Sequence, residues 1–366
     1  MEQLMFECFG NRAKSTDWKW SMAKDYPQEK NGLRTFSCFS CGGGGSTMGY
    51  KLAGCEVIGN CEIDKEMNEV YVANHHPKFN YCMDIRDFNK ILDEELPEEL
   101  FNLDILDGSP PCTTFSMAGQ REDSWGIKKK FREGQTEQTL DDLSFVFIDT
   151  VRKLKPKCVI MENVEGLLIG EAWGYVQRIY KELMAAGYQL KHYLCKGERM
   201  GIPQARHRVF FIAFRNDIPF DFDNLDMFFD YEPVLYGDVK EGVGKPLKEN
   251  TQQLDMLNQA IPCVDHSIGD VLERTGHKKR CFNDKIVWEQ EVCCTIPAKC
   301  NIMRGTDKTK ISDIDVVHCQ TFPEDYDFLN RKVGYICGMS VPPVMIKRIV
   351  SRIIETGVFD EKPHNE

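Results

Sequence analysis

The sequence predicts an α/β fold with a doubly wound, mostly parallel sheet and a second, smaller irregular domain. Short apolar runs alternate with helix-like segments between Leu33 and Phe214, an alternation typical of βαβ units. After Phe214 this pattern fades, because Pro, Gly and Asp interrupt short mixed runs. A helical pattern returns over 334–354. The chain has 366 residues, which is enough for one large and one small domain.

The strands and helices of the first domain follow from local patterns. The predicted strands are "LRTFSCFS" (33–40), "CEVIGNCEID" (55–64), "FNLDILDGSP" (101–110), "KCVIMENV" (157–164) and "RVFFIAF" (208–214). The predicted helices are "STMGYKLAG" (46–54), "LSFVFIDTVRKLKP" (143–156) and "WGYVQRIYKELMAAG" (173–187), each ending at Gly or Pro. We expect an N-terminal surface extension (1–30), the first domain (31–215), a small domain with a hinge (216–330) and a returning C-terminal helix (331–366).

Composition excludes some classes of function. The net charge of −11 argues against a broad, non-specific coat on nucleic acid, although it allows a local basic groove. No run approaches 18 apolar residues and the N-terminus lacks an apolar signal core, so we expect a cytoplasmic protein without a membrane span. The 16 cysteines are spread along the chain and are expected to be mostly reduced and buried.

Two glycine and cysteine features lie at the end of the first strand. Gly42–Gly45 precede a helix, with Glu62 and Asp64 about 20 residues later, a spacing that suits a nucleoside-type cofactor. The same glycines also suit an ordinary tight turn. Cys38 and Cys41 form a C-x-x-C, which favours buried small residues over a zinc or redox site because the spacings to Cys55 and Cys61 fit neither.

A thiol, a carboxylate and two guanidinium groups follow in chain order. Pro110 and Pro111 stiffen the chain before Cys112, which suits a nucleophile as well as an ordinary buried cysteine. "MENVEG" ends a strand with Glu162 and Asn163. "QARHR" places Arg206 and Arg208 before a buried strand, where alternate residues share a face and both can point toward a phosphate or a base carbonyl. A surface salt-bridge pair is the alternative for these arginines.

Taken together, these motifs resemble the (cytosine-5)-DNA methyltransferase family. The resemblance covers about residues 33–214 and 311–350. It rests on the glycine turn (40–45), "NCEID" (60–64), "MDIRDF" (83–88), "GSPPCTTFS" (108–116), "ENV" (162–164), "QARHR" (204–208), "HCQTFPEDYDF" (318–328) and "GMSVPP" (338–343). The implied fold is a Rossmann-like methyltransferase domain, and the region 216–310 is the implied target-recognition domain, short for the family.

For the cytosine, the resemblance implies four roles. Cys112 attacks carbon 6 of a base flipped out of the duplex. Glu162 holds the ring at N3 and the amino group. Arg208, together with Arg206, contacts the base carbonyl and the flanking backbone, and the backbone of Pro110 reads the amino group. Further residues implied on the substrate side are Pro111, Ser116, Asn163 and Gln204.

For the methyl donor, the resemblance implies S-adenosylmethionine at the glycine turn. Gly42 and Gly44 would hold it and Glu62 would bind the ribose. The other implied donor contacts are Ser40, Ile63, Asp84, Ile85, Pro110, Ser340 and Val341, with Asp84 and Ile85 near the adenine and Ser340 and Val341 at the methionine end. No metal is expected.

Three residues depart from the family pattern, all on the donor side. Ser40 stands where Phe is usual, Ile63 where an aromatic is common, and Met339 where Asn is usual. Loss of two aromatic contacts would weaken donor binding by about 1–3 kcal/mol. We expect other aromatic residues to compensate; a weakly bound or different donor is the alternative. "HCQTFP" also lacks the arginine that commonly precedes it.

The resulting prediction is a DNA cytosine-5 methyltransferase of restriction–modification or phage type. Its expected partners are double-stranded DNA and, in a restriction–modification setting, a cognate endonuclease; we expect a monomer in a bacterial or phage-infected cell. A tRNA methyltransferase is a second hypothesis, against which Ser116 follows Phe115 where that branch usually has Thr. A nucleic-acid-binding regulator with a defective donor site is the third.

Overall fold

The computed structural model describes residues 12–40, 43–111, 143–278, 280–281 and 283–360. These residues divide into two compact units that are discontinuous in sequence. The sheet unit contains residues 26–195, His207–Met227 and 346–360, apart from the undescribed stretches within them. The second unit contains residues 12–25, Lys196–Arg206 and Phe228–Met345. The domain boundaries predicted from the sequence remain predictions.

A seven-stranded sheet forms the centre of the sheet unit, in the order β3-β2-β1-β4-β5-β8-β6. The strands are β1 (Arg34–Cys38), β2 (Glu56–Cys61), β3 (Phe79–Tyr81), β4 (Ile105–Gly108), β5 (Cys158–Val164), β6 (Tyr188–Lys196) and β8 (His207–Arg215). Pairings from β3 to β5 are parallel, and β5 pairs with β8 antiparallel. The predicted doubly wound, mostly parallel α/β fold is therefore confirmed.

Helices connect these strands. They are α2 (Gly45–Leu52), α3 (Lys65–His75), α4 (Ile85–Phe88), α5 (Leu143–Leu154) and α6 (Trp173–Ala185). The apolar spacing of α5 places Leu143, Phe147, Val151 and Leu154 on one buried face. That face packs on Leu106, Met161 and Phe211 of the sheet in one apolar core. Burial of this stripe therefore fixes the helix that follows the undescribed residues 112–142.

The carboxyl ends of β1, β2, β4 and β5 lie at one edge of the sheet because these strands run parallel. β4 lies between β1 and β5, with Gly108 opposite Cys38 on one side and Met161 on the other. The residues that follow these strand ends therefore meet at this edge, as the sequence predicts, and they form the candidate site.

The second unit contains a four-stranded and a two-stranded sheet. The first has the order β10-β12-β13-β9 and the second pairs β7 with β11. The strands are β7 (Gln204–Ala205), β9 (Lys245–Pro246), β10 (Lys285–Val287), β11 (Cys293–Cys294), β12 (Ile302–Arg304) and β13 (Thr309–Lys310). The helices are α1 (Met22–Asp25), α7 (Tyr236–Val239), α8 (Gln252–Asn258), α9 (Ile268–Arg274), α10 (Asp313–Cys319) and α11 (Val333–Met339). α12 (Pro343–Glu355) begins in this unit and continues in the sheet unit.

A buried ion pair organises the second unit. Arg304 and Asp315 form a salt bridge and are almost completely removed from solvent. Asp315 also accepts hydrogen bonds from the Tyr236 hydroxyl at 2.6 Å and from the amides of Glu241 and Gly242 at 3.0 and 2.9 Å. Burial alone would raise the pKa of Asp315, but these hydrogen bonds outweigh it and the pKa lies below its usual value.

Within the N-terminal stretch that the sequence predicts to lie on the surface, residues 18–25 are packed against other parts of the chain, while residues 1–11 lie outside the described residues. Trp20 is buried, and its indole nitrogen donates to the Thr321 carbonyl at 2.8 Å. Asp325 accepts hydrogen bonds from the hydroxyl of Ser21 and the amides of Met22 and Ala23. Residues 18–25 are therefore part of the second unit, because one aromatic side chain and one helix-capping carboxylate fix them there.

One helical stretch among the described residues, Val333–Glu355, is long and apolar enough to cross a membrane by length and composition. It comprises α11 and α12, and 67% of its most apolar window is buried within the protein. Core helices of water-soluble proteins have the same composition, so this single stretch is weak evidence for a membrane span.

Replacing Asp315 by Ala is expected to destabilise the second unit by about 3–5 kcal/mol, because Arg304 is left as a buried, unpaired cation. Tyr236→Phe is the matched control, because it keeps both ions and removes only the hydroxyl that donates to Asp315 and accepts from Arg304; it should cost about 1–3 kcal/mol. Urea unfolding measures both. Because the pKa of Asp315 is depressed in the folded state, its contribution is present above the unfolded pKa of about 4 and is lost below it. A constant difference between wild type and Asp315→Ala down to strongly acidic pH would contradict this.

Candidate active site

The glycine turn connects β1 to α2 through left-handed backbone. Gly43 and Gly44 have φ of 79° and 83°, and Gly44 is the N-cap of α2. A Cβ atom on Gly44 would lie 2.5 Å from Nε2 of His75. That nitrogen hydrogen-bonds to the Gly43 carbonyl at 2.8 Å, and burial lowers the pKa of His75 to about 3. His75 is therefore neutral, and Nε2 carries the proton that supports the turn.

Phe39, an aromatic residue, directly precedes Ser40 at this turn. Phe39 follows β1 directly with φ of 56°, and its ring packs edge-on against Phe147. Ser40 is buried, and its hydroxyl accepts a hydrogen bond from Asn60 at 3.3 Å. Phe39 thus places an aromatic ring next to Ser40, and the expected effect of Ser40 and Ile63 on donor binding stays a prediction.

The two acids that follow β2 and β3 have different hydrogen-bond partners. Glu62 is buried, and its Oε1 accepts the Asp64 amide at 2.8 Å, which fixes the carboxylate beside the turn. Asp84 caps α4 by accepting the Arg86 amide at 2.8 Å and pairs with the Arg86 side chain at 3.3 Å. Ile85 is buried in the apolar core. Glu62 thus has the geometry of a held acceptor, while Asp84 first of all starts a helix.

The cysteine loop begins beside the end of β1. The Ser109 amide lies 3.4 Å from the Cys38 carbonyl, and Pro110 is buried. Pro111 is the last described residue before the gap, so Cys112 and Ser116 lie outside the described residues, as does Gly42. The loop therefore leaves the sheet edge between the glycine turn and the end of β5.

Glu162 and Arg208 form an ion pair across neighbouring antiparallel strands. Nε of Arg208 lies 2.7 Å from Oε1 of Glu162, and both side chains are nearly buried. Burial lowers the pKa of Arg208, and the Glu162 charge partly offsets this. Asn163 is buried next to the pair: its Oδ1 accepts the Val164 amide at 2.9 Å, while its Nδ2 has no acceptor among the described residues. A buried donor of this kind calls for a partner from elsewhere.

Asp107 is a site residue that the sequence analysis does not include. It is 1% exposed on β4 and accepts hydrogen bonds from the hydroxyls of Ser37 at 2.7 Å and Tyr50 at 3.1 Å. Burial and the nearby Glu162 raise the pKa of Asp107 to about 7 against these two hydrogen bonds. The signal in the sequence is an acid inside the apolar run of a strand, three residues before the proline pair.

A histidine–carboxylate pair that the sequence does not predict lies at the end of β5 and the start of β8. Nδ1 of His207 lies 2.9 Å from Oε2 of Glu165, and both side chains are partly exposed. His207 directly precedes Arg208, and Glu165 follows Glu162 by three residues. The sequence places a titratable residue between the two arginines of "QARHR", and this is the feature that could have indicated the pair.

The sequence predicts that Arg206 and Arg208 point the same way from one strand. In the structure, Arg206 instead lies just before that strand and has partners of its own. It precedes β8, is 3% exposed, and donates through Nη1 and Nη2 to the carbonyls of Ile296 and Gly338, both at 3.2 Å. These partners belong to the second unit. The guanidinium group of Arg206 therefore holds backbone together within that unit.

Gln204 is also an interior residue of the second unit, and its predicted contact with the substrate stays a prediction. It is fully buried; its amide nitrogen donates to the Cys319 carbonyl at 3.1 Å and to Gln320 at 2.6 Å, and its oxygen accepts the Ile296 amide. Ser340 and Val341 are buried in the same unit, where the Ser340 hydroxyl donates to the Ile336 carbonyl at 3.0 Å. Their predicted role at the methionine end remains a prediction.

The cysteines in and next to β1 and β2 have the chemistry of buried thiols. Cys38, Cys55 and Cys61 are free and buried, and burial raises the pKa of each, to about 11 for Cys55. Protonated thiols are poor metal ligands. One cluster of potential metal ligands occurs among the described residues: Glu241, His318 and Glu324. Lys19 already neutralises its two carboxylates at 2.7 and 3.5 Å.

Comparison with known families gives one match across most of the chain. The model described as "C-5 cytosine-specific DNA methylase" matches residues 33–355. Type II methyltransferase M.FnuDI of Fusobacterium nucleatum is 28% identical over 91% of this chain and 98% of its own length. Type II methyltransferase M.NgoPII of Neisseria gonorrhoeae is 32% identical, but over 55% of this chain and 53% of its own length.

Solved structures agree in fold. A DNA modification methyltransferase encoded within an E. coli prophage superposes with a TM-score of 0.61 at 18% identity, over 88% of this chain and 99% of that one. DNMT2 of Spodoptera frugiperda gives a TM-score of 0.59 at 16% identity over the same shares. At these identities the likeness concerns the fold alone, and it is consistent with the Rossmann-like sheet.

Gly44→Ala is expected to destabilise the sheet unit by about 1–3 kcal/mol more than Gly32→Ala, because overpacking is added to backbone strain. Both glycines have positive φ, of 83° and 78°, but a Cβ on Gly32 would meet no atom within 4 Å. Both variants therefore share the left-handed penalty of about 1–2 kcal/mol, and only Gly44→Ala collides with His75. Thermal unfolding compares them; equal losses would refute the close approach.

Arg206→Met is expected to lower the unfolding free energy by about 1–3 kcal/mol, because one buried and one partly buried carbonyl lose their donor. Exposed Lys181 on α6 provides the control, and Lys181→Met should change stability by less than about 0.5 kcal/mol. Chemical denaturation measures both variants alongside affinity for duplex DNA. Unchanged stability with weakened DNA binding would instead assign Arg206 to the nucleic acid.

Proposed function

Because the chain belongs to the C-5 cytosine-specific DNA methylases, an S-adenosylmethionine-dependent family of enzymes, we propose that it methylates cytosine within a specific DNA sequence through a covalent Cys112 adduct. The target cytosine would be flipped out of the duplex to reach the sheet edge. The methyl group would go from the donor to carbon 5 of the base. The single observation that supports this best is the buried Glu162–Arg208 pair beside the start of the cysteine loop.

Neutral cytosine is a poor electrophile. Attack by a thiolate would therefore need nearby groups that donate a proton to the ring and stabilise the charge that develops on it. The Cys112 thiolate would add to carbon 6 while Glu162 holds the ring at N3 and the amino group. Arg208 would keep Glu162 oriented and direct its remaining N–H groups to the base carbonyl. Transfer of the methyl group to carbon 5 would leave S-adenosylhomocysteine. A base would then remove the proton from carbon 5, and β-elimination would release Cys112 as the thiolate. The unused Nδ2 of Asn163 suits a partner in the bound state.

The donor supplies an electrophilic methyl group, and the residues at the glycine turn fit such a ligand. The left-handed Gly43–Gly44 backbone is held by close packing of Gly44 on His75 and Tyr71, which would fix the main chain that such a ligand contacts. Glu62, oriented by the Asp64 amide, would accept the ribose hydroxyls. Asp84 and Ile85 would lie near the adenine, and Ser340 and Val341 near the methionine end.

DNA is the favoured substrate over tRNA because the matched family and the named relatives are DNA or Type II methyltransferases. A methyl-transfer assay with genomic DNA and bulk tRNA side by side separates the two. The donor-defective regulator would bind no S-adenosylhomocysteine at micromolar concentration. We further propose a monomer that acts on bacterial or phage DNA, with an endonuclease as partner in a restriction–modification setting.

The covalent step is tested with duplex DNA in which 5-fluorocytosine replaces cytosine. Because fluorine replaces the hydrogen on carbon 5, no proton can be removed there and elimination is blocked. In the presence of donor, the covalent adduct should therefore persist on a denaturing gel. Cys112→Ser should form none, and Glu162→Gln should slow adduct formation by about 10²–10⁴-fold.

Bisulfite-type sequencing of DNA from cells that express the chain identifies a duplex with the target sequence beforehand. Transfer without any trapped adduct on that duplex would refute the covalent mechanism. Adduct formation by Cys112→Ser would refute the choice of nucleophile.

A further inference from the structure

The buried carboxyl group of Asp107 connects three elements that border the proposed site: β1, α2 and its own strand β4. Asp107 lies on β4, opposite Ser37 of β1 on one side and Ile160 of β5 on the other. Opposite residues in a sheet share a face, and so do residues two apart along a strand. The side chains of Ser37, Asp107 and Glu162 therefore lie on one face at the carboxyl ends of adjacent strands.

The hydrogen bonds of Asp107 connect the glycine turn with the cysteine loop. Ser37 donates from the strand that leads into the turn, and Tyr50 donates from α2, the helix that the turn begins. Asp107 itself precedes Pro110 by three residues on the strand that leads into the loop. All three side chains are buried. We infer that Asp107 is a positioning residue that fixes α2, and with it the donor turn, against the strand that carries the nucleophile.

The charge state of this carboxyl group sets the strength of the connection. The titratable groups around it are Cys38 of β1, Tyr50 of α2, Tyr71 of α3 and Glu162 of β5. None of these is a cation, and no salt bridge to Asp107 occurs among the described residues. Burial raises the pKa of both tyrosines, so their hydroxyls stay protonated and Tyr50 remains a donor.

Asp107 is consequently poised to change charge near neutral pH. Burial first, and then the Glu162 charge, raise its pKa to about 7. The ionised carboxylate accepts strong hydrogen bonds from both hydroxyls, whereas the protonated acid is a weaker acceptor. The connection between α2 and β4 should therefore tighten as the pH rises through about 7. This inference rests on the proposed donor site at the glycine turn.

The experiment measures S-adenosylhomocysteine affinity by calorimetry between about pH 5.5 and 8.5, a range that brackets this transition. Wild-type affinity should rise several-fold through about pH 7. Asp107→Asn should lose this step and keep the weaker affinity throughout. Tyr50→Phe removes one donor to the ionised form, so its step should move to higher pH, and it remains informative if Asp107→Asn folds poorly.

Asp104→Asn is the matched control. Asp104 precedes the same strand, accepts the Arg34 amide at 2.8 Å and pairs with Lys157 at 2.7 Å, at the end of β4 away from the site. Its replacement should lower stability and leave the step unchanged. A carboxyl group with a merely structural role would not produce a change in donor affinity near pH 7. The role of Asp107 would therefore be overturned if wild type shows no such change, or if Asp107→Asn shows it at the same pH as wild type.

Amide hydrogen exchange in Gly45–Leu52 separates this inference from the donor site. Exchange in α2 should be faster in Asp107→Asn than in wild type at pH 8, about one unit above the pKa of Asp107, after correction for intrinsic rates. If no variant binds S-adenosylhomocysteine but exchange changes as expected, the donor site is wrong and the connection stands. Unchanged exchange in both Asp107→Asn and Tyr50→Phe would overturn the connection itself.

Discussion

The hydrogen-bonded ladder that holds β4 between β1 and β5 is the constraint on which the rest of the sheet unit depends. Because these three strands run parallel and in register, the glycine turn, the start of the cysteine loop and Glu162 emerge at the same edge. β8 pairs antiparallel with β5 on the other side and brings Arg208 to Glu162. Four chemical groups that are far apart in the sequence thus share one sheet edge.

Buried charge is handled differently in the two units. In the second unit, Arg304 and Asp315 neutralise each other and are surrounded by hydrogen bonds, so the pair organises structure. In the sheet unit, Glu162 has Arg208, but Asp107 has two hydroxyls and no described cation. A buried acid without a cation holds its proton to higher pH, and this is common where a site is tuned for chemistry.

The resemblance of motifs indicated the family correctly, while the ion pair between Glu162 and Arg208 and the hydrogen bonds of the neighbouring motif residues became visible only in the structure. Arg206 and Gln204 belong to the same short motif as Arg208, yet they hold backbone inside the second unit. A motif keeps residues together for structural as well as chemical reasons, and spacing alone does not separate these reasons. The same limit applies to Ser40, whose hydroxyl accepts a hydrogen bond from Asn60 while the neighbouring Phe39 packs against Phe147.

The sequence by itself determined the α/β fold class, five of the seven strands of the large sheet, three of its five connecting helices and the chain order of the site motifs, because alternating apolar periodicity and Gly or Pro boundaries are local properties. The tertiary structure alone decided which polar groups meet. The hydrogen bonds of Asp107 to Ser37 and Tyr50 span 70 and 57 residues, and the contact of Arg206 with Gly338 spans 132. Such contacts depend on strand order and burial, which no local pattern encodes.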